Sequence, residues 1–378
     1  MIVVSSPESL QILADKLRGV SGIGVDTESD SFHAYREKTC LIQISTADDD
    51  YVIDPIAVPD LSALRSVFAS PTVCKVFHAA ENDVAGLRRD FGFEVRSIFD
   101  TMAAARILGL PRFGLGDLLS EHYGVDSDKR LQRYEWGRRP LAKAALEYAA
   151  MDSHYLLPLS QILATRLEEV ARLEEAQEEF QRLESATARE RVFDPEGWWR
   201  IKGAYGLAPV ERAILRELYI WRDGQASALD RPPFRVAPDA ALLAVAGQQP
   251  QDLAALPQVS GLPESIARRH GSALIAAVAR GLAAPPPQPR RTPRPDDAVL
   301  ERYEALRRWR RLKAEERGVL PDVVISNAVL QAVAERQPRT LADLDALCLL
   351  GPWKLQTYGA DLLVAGTAAA QPGPILSS

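Results

Sequence analysis

The sequence predicts an α/β domain, a mixed β-sheet with helices on both faces, followed by two small all-α domains. Three observations lead there. Residues 2–91 run strand, helix, three strands, helix, strand, helix, with period-2 runs giving way to helical periodicity. One of the strands, within Ile23-Gly-Val-Asp-Thr-Glu28, ends in two carboxylates one residue apart. Past residue 204 the chain repeats itself at a constant offset of 88: Leu218, Trp221, Arg222, Leu242, Val245, Gln249, Pro250, Leu253, Leu256, Gly271 and Leu274 recur as Leu306, Trp309, Arg310, Leu330, Val333, Gln337, Pro338, Leu341, Leu344, Gly359 and Leu362. Gap-free identities of this kind mean two copies of one module.

Taken in order, Ile2–Val4 is a short strand, and Ser6-Pro7-Glu8 opens a helix to about Arg18, with Ser6 as N-cap and Pro7 at the first helical position. Gly22–Glu28, Leu41–Ser45 and Tyr51–Asp54 read as strands of an antiparallel meander. A helix over Leu61–Ala69, a strand over Val73–Phe77 and a helix over Ala80–Phe91 follow, and Leu141–Leu157 carries helical periodicity. Arg166–Glu190 reads as a continuous acidic helix, and Phe193–Arg200 as an irregular connector. The expected division is residues 1–184, 205–284 and 296–370, with a Pro-rich, basic spacer over 285–295 that cannot be helical.

Composition sets limits. The 378 residues are long enough for two or three domains, and 47% hydrophobic content is ordinary for a globular protein. Cys40, Cys74 and Cys348 are far apart, which argues against a disulfide framework or a zinc site and for a reducing compartment. Neither a basic n-region nor a long apolar stretch is present, so secretion and membrane spanning are not expected, and the cytoplasm is. The formal charge of −6 is uneven: residues 1–184 hold 20 Lys+Arg against 30 Asp+Glu, and the remainder 25 against 21. Charge alone does not point to nucleic acid.

Three acidic sites stand out. Asp26 and Glu28 lie at i and i+2 of a strand and so face the same way, an arrangement that suits a hard divalent cation and equally a strand end entering a polar turn. Asp83, with Glu81, opens a helix after His78, where acidic residues also suit the helix dipole. Tyr148 and Asp152 are four residues apart on one helix face, close enough for a plain hydrogen-bonded pair.

Together these stretches resemble the tyrosine subclass of four-acid 3′→5′ exonucleases, and more closely the ribonuclease D family. Asp-x-Glu, His-x4-Asp and Tyr-x3-Asp come in the family's order, and Phe99-Asp100-Thr101-Met102, Trp136-Gly-Arg-Arg-Pro-Leu141 and Glu147–Pro158 extend the similarity. Glu135 stands before Trp136 where Asp is commoner. The resemblance implies a ribonuclease-H-like fold, with Asp26, Glu28, Asp83 and Asp152 as ligands for two divalent cations, Mg2+ or Mn2+, about 4 Å apart. It implies that Tyr148 orients the attacking water, since a phenol with a pKa near 10 is a poor base at neutral pH. The substrate implied is RNA, with tRNA precursors foremost, and the protein is expected to act as a monomer. Single-stranded DNA remains an alternative substrate, because these ligands do not read the 2′-OH, and non-catalytic RNA binding is the reading from another class.

Substrate contacts are expected from Phe32 and His33 just past Glu28 and from the basic loop 126–139 with Lys129, Arg130 and Arg139; His78 reads first as a structural residue and second as a substrate contact. That loop suits a phosphate clamp and a solvated turn equally. The two helical copies resemble the domain shared by ribonuclease D and certain helicases, which implies nucleic-acid contact or a docking role. Arg307, Arg308, Arg310, Arg311 and Lys313 are the candidate phosphate contacts there.

Overall fold

The computed structural model describes residues 1–126, 131, 134–188, 192–288 and 296–367. Six strands form one mixed sheet in the order β1-β4-β3-β2-β5-β6: β1 (Ile2–Val4), β2 (Gly22–Ser29), β3 (Thr39–Ser45), β4 (Asp50–Ile53), β5 (Cys74–Phe77) and β6 (Ile98–Asp100). The expected meander is present, with β2–β3 and β3–β4 antiparallel, while β1–β4, β2–β5 and β5–β6 are parallel. At three residues, β6 is too short for its periodicity to mark it.

Helices cover both faces. On one, α1 (Pro7–Leu17), α2 (Arg65–Ala69) and α3 (Glu81–Phe91) pack Leu10, Leu13, Phe68, Val84 and Leu87 against Ile23, Val25, Ile42 and Ile44. Ser6 caps α1 as expected. After α4 (Thr101–Ile107) and α5 (Leu115–Tyr123), α6 (Lys143–His154) crosses the other face of β2, β3 and β4. The helix predicted over Leu141–Leu157 ends at His154, and α7 (Leu156–Glu169) begins two residues later. Pro158 accounts for the break: its ring would clash with the His154 carbonyl in a continuous helix, but it is tolerated in the first turn of a new one. The helix predicted over Arg166–Glu190 is likewise divided, with Ala171 at φ 52° between α7 and α8 (Leu173–Glu184).

The connector anticipated at Phe193–Arg200 is not a free tether. Trp198 and Trp199 are buried in the core of the first helical module, α9 (Pro209–Ala228), α10 (Pro233–Val236), α11 (Asp239–Gln248) and α12 (Glu264–Ala283). The second module comprises α13 (Asp297–Arg317), α14 (Pro321–Val324), α15 (Asn327–Arg336), α16 (Leu341–Asp345) and α17 (Pro352–Thr367).

The sequence repeat is a repeat of contacts. Arg222 donates to the Ala237 carbonyl at 3.0 Å, and Arg310, 88 residues on, to that of Ile325 at 2.8 Å. Gln249 and Gln337 both end a helix in the left-handed region, at φ 50° and 49°. A Cβ on Gly271 would lie 3.1 and 3.0 Å from the Leu253 and Leu256 side chains, and one on Gly359 would lie 2.6 Å from Leu341. Gly271 with Leu253 and Leu256, and Gly359 with Leu341 and Leu344, are thus the repeated identities that let the last helix of each module sit close on the segment before it.

The second module docks on α8. Glu178 accepts from the backbone N–H of Trp353 at 2.6 Å, serving as an acidic partner to the N-terminus of α17. Arg317 forms a two-pronged pair with the buried Glu175, one prong measuring 2.9 Å. Truncating one partner of such a pair leaves an uncompensated buried charge. Arg317→Ala should therefore lower the unfolding free energy by about 3 kcal/mol, and Glu175→Gln combined with Arg317→Met should recover most of it; denaturant unfolding of the full chain measures both.

Candidate active site

The site forms at the C-terminal end of β2, where three elements bring carboxylates together. Asp26 and Glu28 share the face covered by α6. Gly24, two residues before Asp26, is why α6 can come so close: a Cβ there would lie 2.5 Å from the Ser153 carbonyl oxygen. That approach carries Asp152 to the strand, and Asp26, Glu28 and Asp152 each offer an oxygen within 4.8 Å of the others. Asp83 comes from α3, on the opposite face, and its carboxylate accepts a short hydrogen bond from the Thr27 hydroxyl, which projects to that face between Asp26 and Glu28.

Asp100, given no role by the sequence, and the His78–Thr101 pair set the position of α3. Asp100, at the end of β6, accepts from Ala80 N at 2.6 Å and from Ala103 N at 2.7 Å, tying the start of α3 to the start of α4. Its place directly before a helix is the N-cap signal that could have found it. His78 is engaged with Thr101: their Nδ1 and Oγ1 are 2.9 Å apart, while the Thr101 hydroxyl donates to the Phe77 carbonyl. Burial pushes the imidazolium pKa down to about 4, so His78 is a neutral brace at the β5–α3 junction and not a charged phosphate contact.

The acids are electrostatically uncomfortable. Burial, followed by the charges of Asp83, Asp152 and Glu28, raises the Asp26 pKa well above its usual range. Burial and the same kind of repulsion push Glu28 up to about 9. Burial raises Asp83 to about 7 and Asp152 to about 6. No lysine or arginine among the described residues figures among the causes of these shifts. Buried carboxylates with hard oxygen donors and no basic side chain to balance them fit a divalent cation.

Tyr148, half-buried, stands one turn before Asp152 on the same face of α6. Burial and then the Asp152 charge raise its pKa, which keeps the phenol protonated and makes it a donor. Trp136 lies buried beneath the same helix, stacked on Tyr148 with ring centroids 6.4 Å apart. A cleft of about 290 Å3 lined by Leu119, Val125, Leu131, Tyr148, Met151 and Asp152 opens beside the acids.

The other anticipated contacts fare differently. Arg139 is spent on the protein: it grips Asp54 through two bonds of 2.7 Å and donates to the carbonyls of Cys40, Trp136 and Arg138. It anchors the chain entering α6 and is not a phosphate clamp. Lys129 and Arg130 lie outside the described residues. Phe32 is half exposed, and His33 Nδ1 lies 3.2 Å from Arg235 of the first helical module. That module also holds the loop after Glu28 through Asp223, which accepts from the Tyr35 hydroxyl at 2.7 Å, and Asp230, which accepts from Tyr35 N. Arg307, Arg308 and Arg311 are exposed on α13, but Arg310 is only 8% exposed. Arg310 is a core arginine, the counterpart of Arg222, and drops out as a phosphate contact.

Comparison with known proteins agrees with this architecture. Residues 1–168 match a family model described as 3′-5′ exonuclease, and residues 211–278 and 299–365 each match the HRDC domain. A Ribonuclease D from Granulibacter bethesdensis is 31% identical over 96% of this chain and 91% of its own length. The chain belongs to the ribonuclease D family. The crystal structure of Escherichia coli RNase D, titled an exoribonuclease involved in structured RNA processing, covers 96% of this chain with a TM-score of 0.68 at 25% identity. The chain also matches an exosome complex component 10 homolog of Caenorhabditis elegans at 32% identity, but spans only 36% of that longer protein. A ribonuclease D-type exonuclease half followed by two HRDC domains is thus the organisation of the chain, and no helix among the described residues is long and apolar enough to cross a membrane.

The raised pKa values give a pH signature. In the folded protein Glu28, Asp83 and Asp152 ionise between about pH 6 and 9, whereas in the unfolded chain they ionise near 4. The folded state holds the extra protons, so the stability they contribute is full below about pH 4 and lost as pH rises through the folded values. A bound cation needs the ionised ligands and offsets that loss. The rise in melting temperature on adding 5–10 mM Mg2+, a range of roughly the scale used for weak oxygen sites, should therefore be larger at pH 8.5 than at pH 6. Equal shifts at both values would show that these acids do not hold the ion.

Proposed function

We propose that this protein is a metal-dependent 3′→5′ exoribonuclease that releases nucleotides from RNA 3′ ends, with tRNA precursors as its substrates in the cytoplasm, acting as a monomer. The single observation that carries this reading is the convergence of Asp26, Glu28 and Asp152 within 4.8 Å, with Asp83 alongside and no basic side chain among the described residues to balance them. Membership of the ribonuclease D family supports RNA as the substrate class. The proposed division of labour is residues 1–184 for catalysis, with 205–284 and 296–370 as helical modules joined through 285–295.

In this reading Asp26, Glu28, Asp83 and Asp152 hold two divalent cations, Mg2+ or Mn2+. Such a pair supplies an acidified water and charge stabilisation at the leaving 3′ oxygen during in-line attack on phosphorus. The protein's own residues do the placing. Thr27 and the Asp100-capped helix start hold Asp83 in position. Tyr148, kept protonated, presents its hydroxyl as a donor that orients the attacking water instead of taking its proton. Trp136 stacked on its ring limits how far the phenol can swing.

Incubation of the purified protein with 3′-tailed tRNA and with single-stranded DNA, each with and without Mg2+ or Mn2+, tests the reading. Metal-dependent shortening of the tRNA from its 3′ end is expected, while a preference for DNA would replace the substrate class. Asp26→Asn or Asp152→Asn should lower kcat by roughly 10³-fold, equivalent to about 4 kcal/mol. Tyr148→Phe should cost about 10²-fold in kcat with KM nearly unchanged; unchanged turnover would leave the tyrosine a packing role. If the exposed face of α13 meets phosphates, replacing Arg307, Arg308 and Arg311 together by Ala should weaken RNA binding. The slope of log affinity against log salt should then flatten by about 2. An unaltered slope would make the second module a docking element only.

A further inference from the structure

Gln43 sits at the centre of β3 and is fully buried, yet neither its amide oxygen nor its amide nitrogen has a hydrogen-bond partner among the described residues. Leaving such groups unpaired in a core is destabilising. A strand that reads Thr-Cys-Leu-Ile-Gln-Ile-Ser, every position buried, has no packing reason for an amide where Leu or Met would fit.

The sheet register shows what the amide faces. Gln43 is the cross-strand partner of Asp26, and directly opposed residues of an antiparallel pair project to one face with Cβ atoms about 5 Å apart. That face lies under α6. Two residues along β3, the Ser45 hydroxyl lies 2.7 Å from that of Ser153 on α6, and two residues back along β2, Gly24 lies against the Ser153 carbonyl. On the other flank the partner of Gln43 is Val52, which offers no polar side chain and packs in one core cluster with Ala149 and Ala150 of α6. Asp26 is therefore the polar side chain directly opposite the amide.

We propose that Gln43 is a positioning residue for Asp26: once cations are bound, its amide N–H donates to the Asp26 carboxylate, directly or through one buried water, and holds that ligand aimed at them. The inference rests on the metal-dependent reading above. A carboxylate that ligates a cation keeps lone pairs free, and a donor behind it fixes its orientation. Thr27 provides this service to Asp83 from one face of β2; Gln43 provides it to Asp26 from the other.

Gln43→Met keeps the length of the side chain and removes the amide. The full-length variant should melt at or above the wild-type temperature, since an unpaired buried group is gone. Its Mn2+ affinity by calorimetry should fall about tenfold or more, with a similar fall in kcat and KM for RNA within about twofold. Mn2+ affinity and kcat both within about twofold of wild type would overturn the proposal. A crystal structure of the wild-type protein with Mn2+ decides the matter without a variant: Gln43 Nε2 should lie within hydrogen-bond distance of an Asp26 oxygen or of a water bonded to one, and Nε2 bonded to another group would overturn it. Wild-type protein that neither binds Mn2+ nor cleaves RNA would instead defeat the metal-dependent reading itself.

Discussion

The close approach of α6 to β2 at Gly24 is the constraint on which the site depends. Any side chain there would meet the Ser153 carbonyl, lift the helix and carry Asp152 away from Asp26 and Glu28. The alanines of α6, Ala145, Ala149 and Ala150, serve the same end over β3. What the approach produces is repulsion: buried acids crowded together, with pKa values displaced upward and no arginine or lysine among the described residues to relieve them. A fold that tolerates such a cluster does so because the rest of the domain holds it in place. Arg139 locks the chain entering α6 onto Asp54 and Cys40, and Asp100 locks the start of α3. The strain is concentrated at the acids and held by these anchors, the distribution expected where charge is assembled for chemistry.

The two HRDC domains attach to the exonuclease domain in different ways. The first reaches the loop after Glu28, where Asp223 and Asp230 hold Tyr35. The second rests on α8 through Glu175, Glu178 and Arg317, beyond the helices that carry the site. Both keep the same internal arginine, Arg222 or Arg310, on the carbonyl of the short helix that follows, so the repeated core is kept while the docking surfaces have diverged. This separates two kinds of arginine on α13: Arg310 maintains the module, and Arg307, Arg308 and Arg311 face solvent.

Much was legible in the sequence, and for identifiable reasons. Strand periodicity placed Asp26 and Glu28 on one face, helical spacing put Tyr148 and Asp152 together, and the 88-residue offset announced two copies of one module. These are properties of local geometry, in which a residue's direction follows from its neighbours in sequence. The family resemblance then joined the three acidic stretches, which no single periodicity could do. What local pattern could not tell was which charged or polar side chains are already spent. Arg139, Arg310 and His78 look in sequence like any basic residue near a site, yet each is committed to partners far along the chain or held in a core. The converse holds for Gln43, Thr27 and Asp100, ordinary polar residues whose importance comes from what lies across a strand or at a helix start. The sequence by itself determined the elements, their order and the identity of the acids; only the tertiary structure decided which side chains remain available to a ligand, because hydrogen bonds and burial are settled between elements and not within them.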